Sequence, residues 1–115
     1  MTSQAALPDV LFDTDALPWT CAQAKGVSYK SLRYEGETHS GAVLIHMCPD
    51  SVYPENLVHK GMDVLVLDGE LSIGSAALNR GSYAHVPAGA RTAPVTRDGC
   101  ILFVSFPGRV ENLHS

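Results

Sequence analysis

Short apolar runs of strand length, separated by turn residues, recur along the sequence. Val27 to Tyr34 alternates between apolar and polar positions, the pattern of a half-buried strand. The following EGETHSG stretch is a loop, and Gly41 to Met47 is an apolar, partly β-branched strand that turns at Cys48-Pro49-Asp50-Ser51. Val64 to Leu67 is continuously apolar and predicts a buried strand, with Asp68-Gly69 after it as a hairpin signal. Leu71 to Ile73, Ser82 to Val86 and Ile101 to Phe106 supply further strands, and Arg97-Asp98-Gly99 another turn. No segment has a convincing helical period. Evenly spaced short strands predict an all-β sandwich or a barrel of jelly-roll type, which the pattern alone does not separate. Leu7 to Trp19, punctuated by Pro8 and Pro18, reads as an arm (residues 1–18) lying across the outside or onto a partner. The polar tail from Pro107 to Ser115 is expected to fray.

Composition narrows the function classes. A chain of 115 residues suits one domain spanning 1–115. With 45% hydrophobic and 17% charged residues it is globular rather than disordered. A net charge of −4 and a pI near 5.6 leave no basic footprint for nucleic acid. No apolar run approaches the roughly 20 residues that cross a bilayer. Nor does the N-terminus show a charged region followed by an apolar one. Cys21, Cys48 and Cys100 form an odd set without CxxC or zinc-site spacing, as expected of reduced thiols in a cytoplasmic protein.

Two stretches carry a family resemblance. PDSVYPENLVHKGMDVLVLDGEL (Pro49–Leu71) resembles the first cupin motif, glycine, five residues, His-x-His, three or four residues, Glu, six residues, glycine. GSYAHVPAGARTAP (Gly81–Pro94) resembles the second, Gly-x5-Pro-x-Gly-x2-His, with Gly81, Pro87 and Gly89 in register. The late DGCILFVSF and the opening DALPWTCAQAKGVSYKSL add to the likeness, the latter to the small cupins related to the C-terminal domain of ChrR-type anti-sigma factors. The resemblance runs from about Asp15 to Phe106. It implies a double-stranded β-helix and selects the jelly-roll barrel among the all-β alternatives. The family's metal, held by three His and one Glu, does not carry over: the four slots read Asn56, Val58, Met62 and Thr92. Asp50 stands in place of the leading glycine.

The resemblance implies that these four side chains line the barrel, with Val64 and Val66 following on the same face. Amide, isopropyl and hydroxyl groups do not hold iron, manganese or zinc against water, and a thioether is a soft ligand suited at best to Cu(I). The expectation is therefore no metal and no cofactor, and a largely apolar pocket for a small organic molecule. Asn56, Val58, Met62, Thr92 and Val64 are the expected substrate-binding residues. His46 or His85 is the candidate base and Tyr83 the candidate acid, in an isomerase, cyclase or lyase step. An inward His46 is expected. Tyr83 and His85 share one face of their strand, which is the inner or the outer one. A non-catalytic ligand-binding or structural cupin is one alternative. A metal-dependent oxygenase with shifted ligands is another, in which a bulge before Gly61 turns His59 and Asp63 inward beside His46 or His85. The simpler reading places His59 and Asp63 outside, leaves Cys48 and Cys100 inert and Glu55 on the lip. A homodimer is expected, since pairing removes a free strand edge and covers Val10-Leu11-Phe12 and Trp19.

Overall fold

A computed structural model describes residues 6–113. Twelve strands occur among them: β1 (Thr20–Cys21), β2 (Val27–Glu35), β3 (Ser40–Met47), β4 (Ser51–Val52), β5 (Asn56–Val58), β6 (Met62–Ile73), β7 (Ala76–Asn79), β8 (Tyr83–Val86), β9 (Ala90–Thr92), β10 (Val95–Thr96), β11 (Cys100–Phe106) and β12 (Val110–Asn112). A single 3₁₀ turn, Thr14–Ala16, precedes them. The large sheet has the order β1-β2-β3-β11-β6-β10-β4, with β7 and β8 also on β6. A smaller sheet has the order β12-β5-β9, and every pairing described is antiparallel. The sheets curl into an all-β half-barrel, the architecture that the motif resemblance implies.

β6 is the spine of the fold. Its first half pairs with β8 and β11, its second with β7 and β10. The change of partners happens at Asp68-Gly69. The register against β11 skips Leu67, so that Leu102 faces Val66 and Ile101 faces Asp68. Gly69 has φ +79°, and a Cβ there would lie 2.0 Å from the Gly99 carbonyl oxygen. The expected hairpin at Asp68-Gly69 is therefore a bulge inside one long strand. The glycine's left-handed conformation redirects the strand instead of reversing it. The tight hairpin falls later, at Gly74-Ser75, where Ile73 faces Ala76.

Alternation along the strands builds the interior. Tyr29, Ile45, Leu102 and Val66 form one cross-strand row, and Ser31, Val43, Val104, Val64 and Ala84 the next. The core of these rows, with Val27, Met47, Val58, Met62 and Leu71, is buried. The opposite face carries the row Lys30, Leu44, Phe103, Leu65 and Tyr83.

The two ends behave differently. The polar tail does not simply fray. Val110–Asn112 pairs with β5, Val110 packs on the core, and the Leu113 amide donates to the Glu55 carbonyl at 2.9 Å. Backbone pairing to β5 overrides the low hydrophobicity of the segment. Among the described residues the arm is pinned at its base, where Lys30 Nζ donates to the Thr14 carbonyl at 2.9 Å and sits 4.7 Å from the Trp19 ring centre. Before that point Leu7, Val10, Leu11 and Phe12 remain exposed.

Candidate functional site

The barrel encloses a cavity of about 600 Å³. Its depth is apolar, with Val27, Ile45, Met47, Val64, Leu71, Leu102 and Val104 buried along it. Its volume is within the range of about 300–1,000 Å³ typical of small-molecule pockets. Polar groups are few. Asn56 and Met62, two of the four positions that the motif resemblance sets against metal ligands, are on the wall. Thr92 stands opposite Asn56 in the β5–β9 pair and donates its hydroxyl to Asn56 Oδ1 at 3.1 Å. The Asn56 amide nitrogen donates to the Pro54 carbonyl at 3.2 Å. Val58 is fully buried two pairs further along, in the core rather than on the cavity wall.

This donor set does not fit a first-row metal. Val58 offers no donor atom. The amide and the hydroxyl are spent on each other and on the backbone, and a single thioether is left. Among the described residues no group of three His, Cys, Asp or Glu side chains is placed to hold a metal ion.

The expected acid–base residues lie elsewhere. His46 is on the outer face of β3, between Ser28 and Ile101, with Trp19 at a ring-centre distance of 5.7 Å. The expectation of an inward His46 is thus corrected. Ile45 and Met47 take the inward phase, and the arm's tryptophan covers the histidine. Tyr83 and His85 do share a face of β8, and it is the outer one, since Ala84 and Val86 point in. Both side chains converge on Asp63. The Tyr83 hydroxyl donates to Asp63 Oδ1, and His85 Nδ1 lies 3.0 Å from the same oxygen. These bonds hold the Asp63 carboxyl below the usual aspartate range, the Tyr83 bond first, and Asp63 in turn pushes the Tyr83 phenol up. None of these residues is on the cavity wall.

Asp63 and His59 do not meet in a shifted metal site. His59 instead lies 2.9 Å from Glu111 on β12, and that bond holds Glu111 below its ordinary value. Burial pushes the Cys100 thiol up to about 11, so it stays protonated and inert. Cys21 and Cys48 are exposed.

The residues that sequence reasoning missed are on the cavity wall. Tyr53 lies between β4 and β5, with its amide donating to the Pro94 carbonyl at 2.8 Å. Burial pushes its phenol up, so it is a neutral donor at physiological pH. Its hydroxyl makes no hydrogen bond to another described residue, yet no fully buried side-chain polar atom among them is unpartnered. The hydroxyl is therefore accessible, on a residue that lines the cavity. Arg33, Tyr34, His39, Arg109 and Asn112 are exposed polar residues of the same wall. No sequence signal marked Tyr53, a lone aromatic in a turn-rich segment. The arginines were readable only as surface charge.

Comparison with known proteins agrees with the fold. A candidate acetylacetone dioxygenase from Methylibium petroleiphilum PM1 superposes with a TM-score of 0.86 at 14% identity, covering 98% of this chain and 86% of that one. The polyketide cyclase RemF from Streptomyces resistomycificus gives 0.71 at 16% identity, covering 91% and 85%. A chain in the complex of Rhodobacter sphaeroides SigE with the anti-sigma ChrR gives 0.70 at 19% identity, covering 82% and 50%. No curated protein matches the sequence. Residues 7–108 match the model of the ChrR Cupin-like domain, and the chain belongs to that cupin family.

Proposed function

We propose that this cupin binds a small, largely apolar organic molecule in its barrel and does so without a metal. The observation that carries the reading is the cavity of about 600 Å³, whose wall includes Asn56 and Met62 in place of metal ligands. Asn56, Met62 and Val64 contact the bound molecule, Thr92 orients Asn56, and Val58 packs behind them. The candidate acetylacetone dioxygenase and the polyketide cyclase are named for work on small organic molecules, which supports a ligand of that class.

Binding, rather than acid–base catalysis by His46, His85 and Tyr83, is the function this geometry supports best, because those three side chains lie outside the cavity. A catalytic reading of isomerase, cyclase or lyase type is favoured by one observation, the Tyr53 hydroxyl. It is an unengaged donor inside an apolar wall, able to protonate or hydrogen-bond a ligand oxygen.

Decanol, a neutral apolar probe, tests the binding reading by titration calorimetry. One molecule is expected to bind per chain, and Val43→Trp, which places bulk in the cavity, is expected to abolish binding while the protein stays folded. Should that variant unfold, Val104→Phe replaces it. Elemental analysis of purified protein is expected to show far less than one iron, zinc or manganese per chain. Failure of decanol to bind, or a stoichiometric metal, overturns the reading.

We also propose that the chain forms a homodimer, the arm of one copy packing on its partner. Leu7 and Leu11 are more than four-fifths exposed (88% and 82%), an apolar display that a partner would cover. Light scattering is expected to give twice the chain mass. Deleting residues 6–12 is expected to shift it to the monomer, and a monomer mass for the intact chain contradicts the proposal.

A further inference from the structure

The charged side chains on the cavity wall carry one sign. Arg33 and Arg109 line it, and among the described residues no aspartate or glutamate does. This runs against the sequence, which has 12 acidic and 8 basic residues.

Both arginines lie at the same end of the barrel. Arg33 faces Ala42 across β2 and β3, and the next pair in that row is Tyr34 with Gly41. Gly41 in turn faces Phe106 at the end of β11, and Arg109 follows Phe106 by three positions. The polar lining residues Tyr34 and His39 of this end are also exposed. The Tyr34 hydroxyl and His39 Nδ1 hold each other at 2.7 Å. At the opposite end the wall is buried Val27, Met47 and Leu71. The cavity therefore has a cationic mouth and an apolar depth.

Neither guanidinium is committed to an internal partner. Arg33 reaches Glu35 only at 4.0 Å, with both side chains in solvent. Arg109 makes no ion pair or side-chain hydrogen bond with another described residue. The acid whose titration Arg109 influences, Glu111, is held by His59 at 2.9 Å. Two arginines over an apolar cavity are suited to a planar anion, because the guanidinium fork matches carboxylate geometry.

We infer that the ligand is an apolar molecule carrying one carboxylate or equivalent anionic group. Its hydrocarbon part fills the depth lined by Met47, Leu71 and Val104, and its anion is held at the mouth by Arg33 and Arg109. This rests on the cavity being a binding site and names the chemical class that the site selects.

The test compares decanoate with decanol, two probes of one chain length, by titration calorimetry on the full chain near pH 7.5. Decanoate is expected to bind about tenfold or more tightly than decanol. The double variant R33Q/R109Q is expected to reduce decanoate to the affinity of decanol and to leave decanol unchanged. Raising the salt concentration on the unmodified protein is expected to weaken decanoate and not decanol, a readout that needs no variant. Decanol binding with no decanoate preference overturns the anion inference and leaves the cavity reading intact. A preference that survives R33Q/R109Q in a folded protein overturns the role of these arginines. If decanol does not bind, the cavity reading falls and the anion inference falls with it.

Discussion

The two faces of β6 show how little residue type alone says about where function sits. Outward, Asp63 gathers Tyr83 and His85 in a hydrogen-bonded cluster. Inward, Met62, Val64 and Val66 are buried, and the first two line the cavity. The outer face has the side chains that a chemist associates with catalysis, but they are not on the wall of the barrel cavity. The inner face has the cavity and almost no titratable group. Charge is cheap where water solvates it and costly inside. The polar cluster consequently marks the solvated wall, and the apolar wall marks the enclosure. What distinguishes a site here is strand phase, since neighbours along one strand differ in face and therefore in environment.

β3 offers the sharpest way to break that contrast. Met47 is fully buried and His46, the next residue back, is on the outer face. Met47→Ala is expected to destabilise the protein by about 2–5 kcal/mol. His46→Ala, which removes one ring contact with Trp19, is expected to cost about 0.5–1.5 kcal/mol. Chemical denaturation of the two variants checks the pair. Equal losses would mean that His46 is integrated in the core.

A pH-dependent effect of the outer surface comes next. Glu70 Oε1 accepts from the Arg97 amide at 2.6 Å, the Asp98 amide at 2.7 Å and the Thr96 hydroxyl at 2.9 Å. These bonds hold its carboxyl below the ordinary value of 4.5, the Asp98 amide contributing most. A carboxyl whose folded value is depressed stabilises the fold above its unfolded value, and that stabilisation is lost as pH falls through the folded one. Acidification below about pH 4.5 is therefore expected to lower the melting temperature, and Glu70→Gln to lower it at neutral pH and flatten the acid limb. An unchanged acid limb in Glu70→Gln would show that the turn at Arg97-Asp98-Gly99 holds without the carboxylate.

The sequence made the strands and the barrel legible because turn chemistry and motif spacing are local. Gly81, Pro87 and Gly89 carried the second motif, and the motif spacing could be laid over Asn56, Val58, Met62 and Thr92, side chains that make a poor donor set for a first-row metal. Phase was harder. Gly41–Met47 is apolar on both faces, so alternation did not show that Ile45 and Met47, and not His46, point inward. Asp68-Gly69 carried a hairpin signal, yet the structure puts the same left-handed glycine in a bulge, a choice set by the distant partners β10 and β11. Tyr53, Arg33 and Arg109 were not legible as site residues, because separate strands and loops bring them to one wall only once the barrel closes.

The central claim, that the cavity and not the polar outer cluster is the binding site, is tested most directly by decanol titration of three proteins in parallel. The unmodified chain and His85→Ala are expected to bind one decanol per chain with equal affinity, and a folded Val43→Trp to bind none. Loss of binding in His85→Ala together with its retention in Val43→Trp would contradict the account.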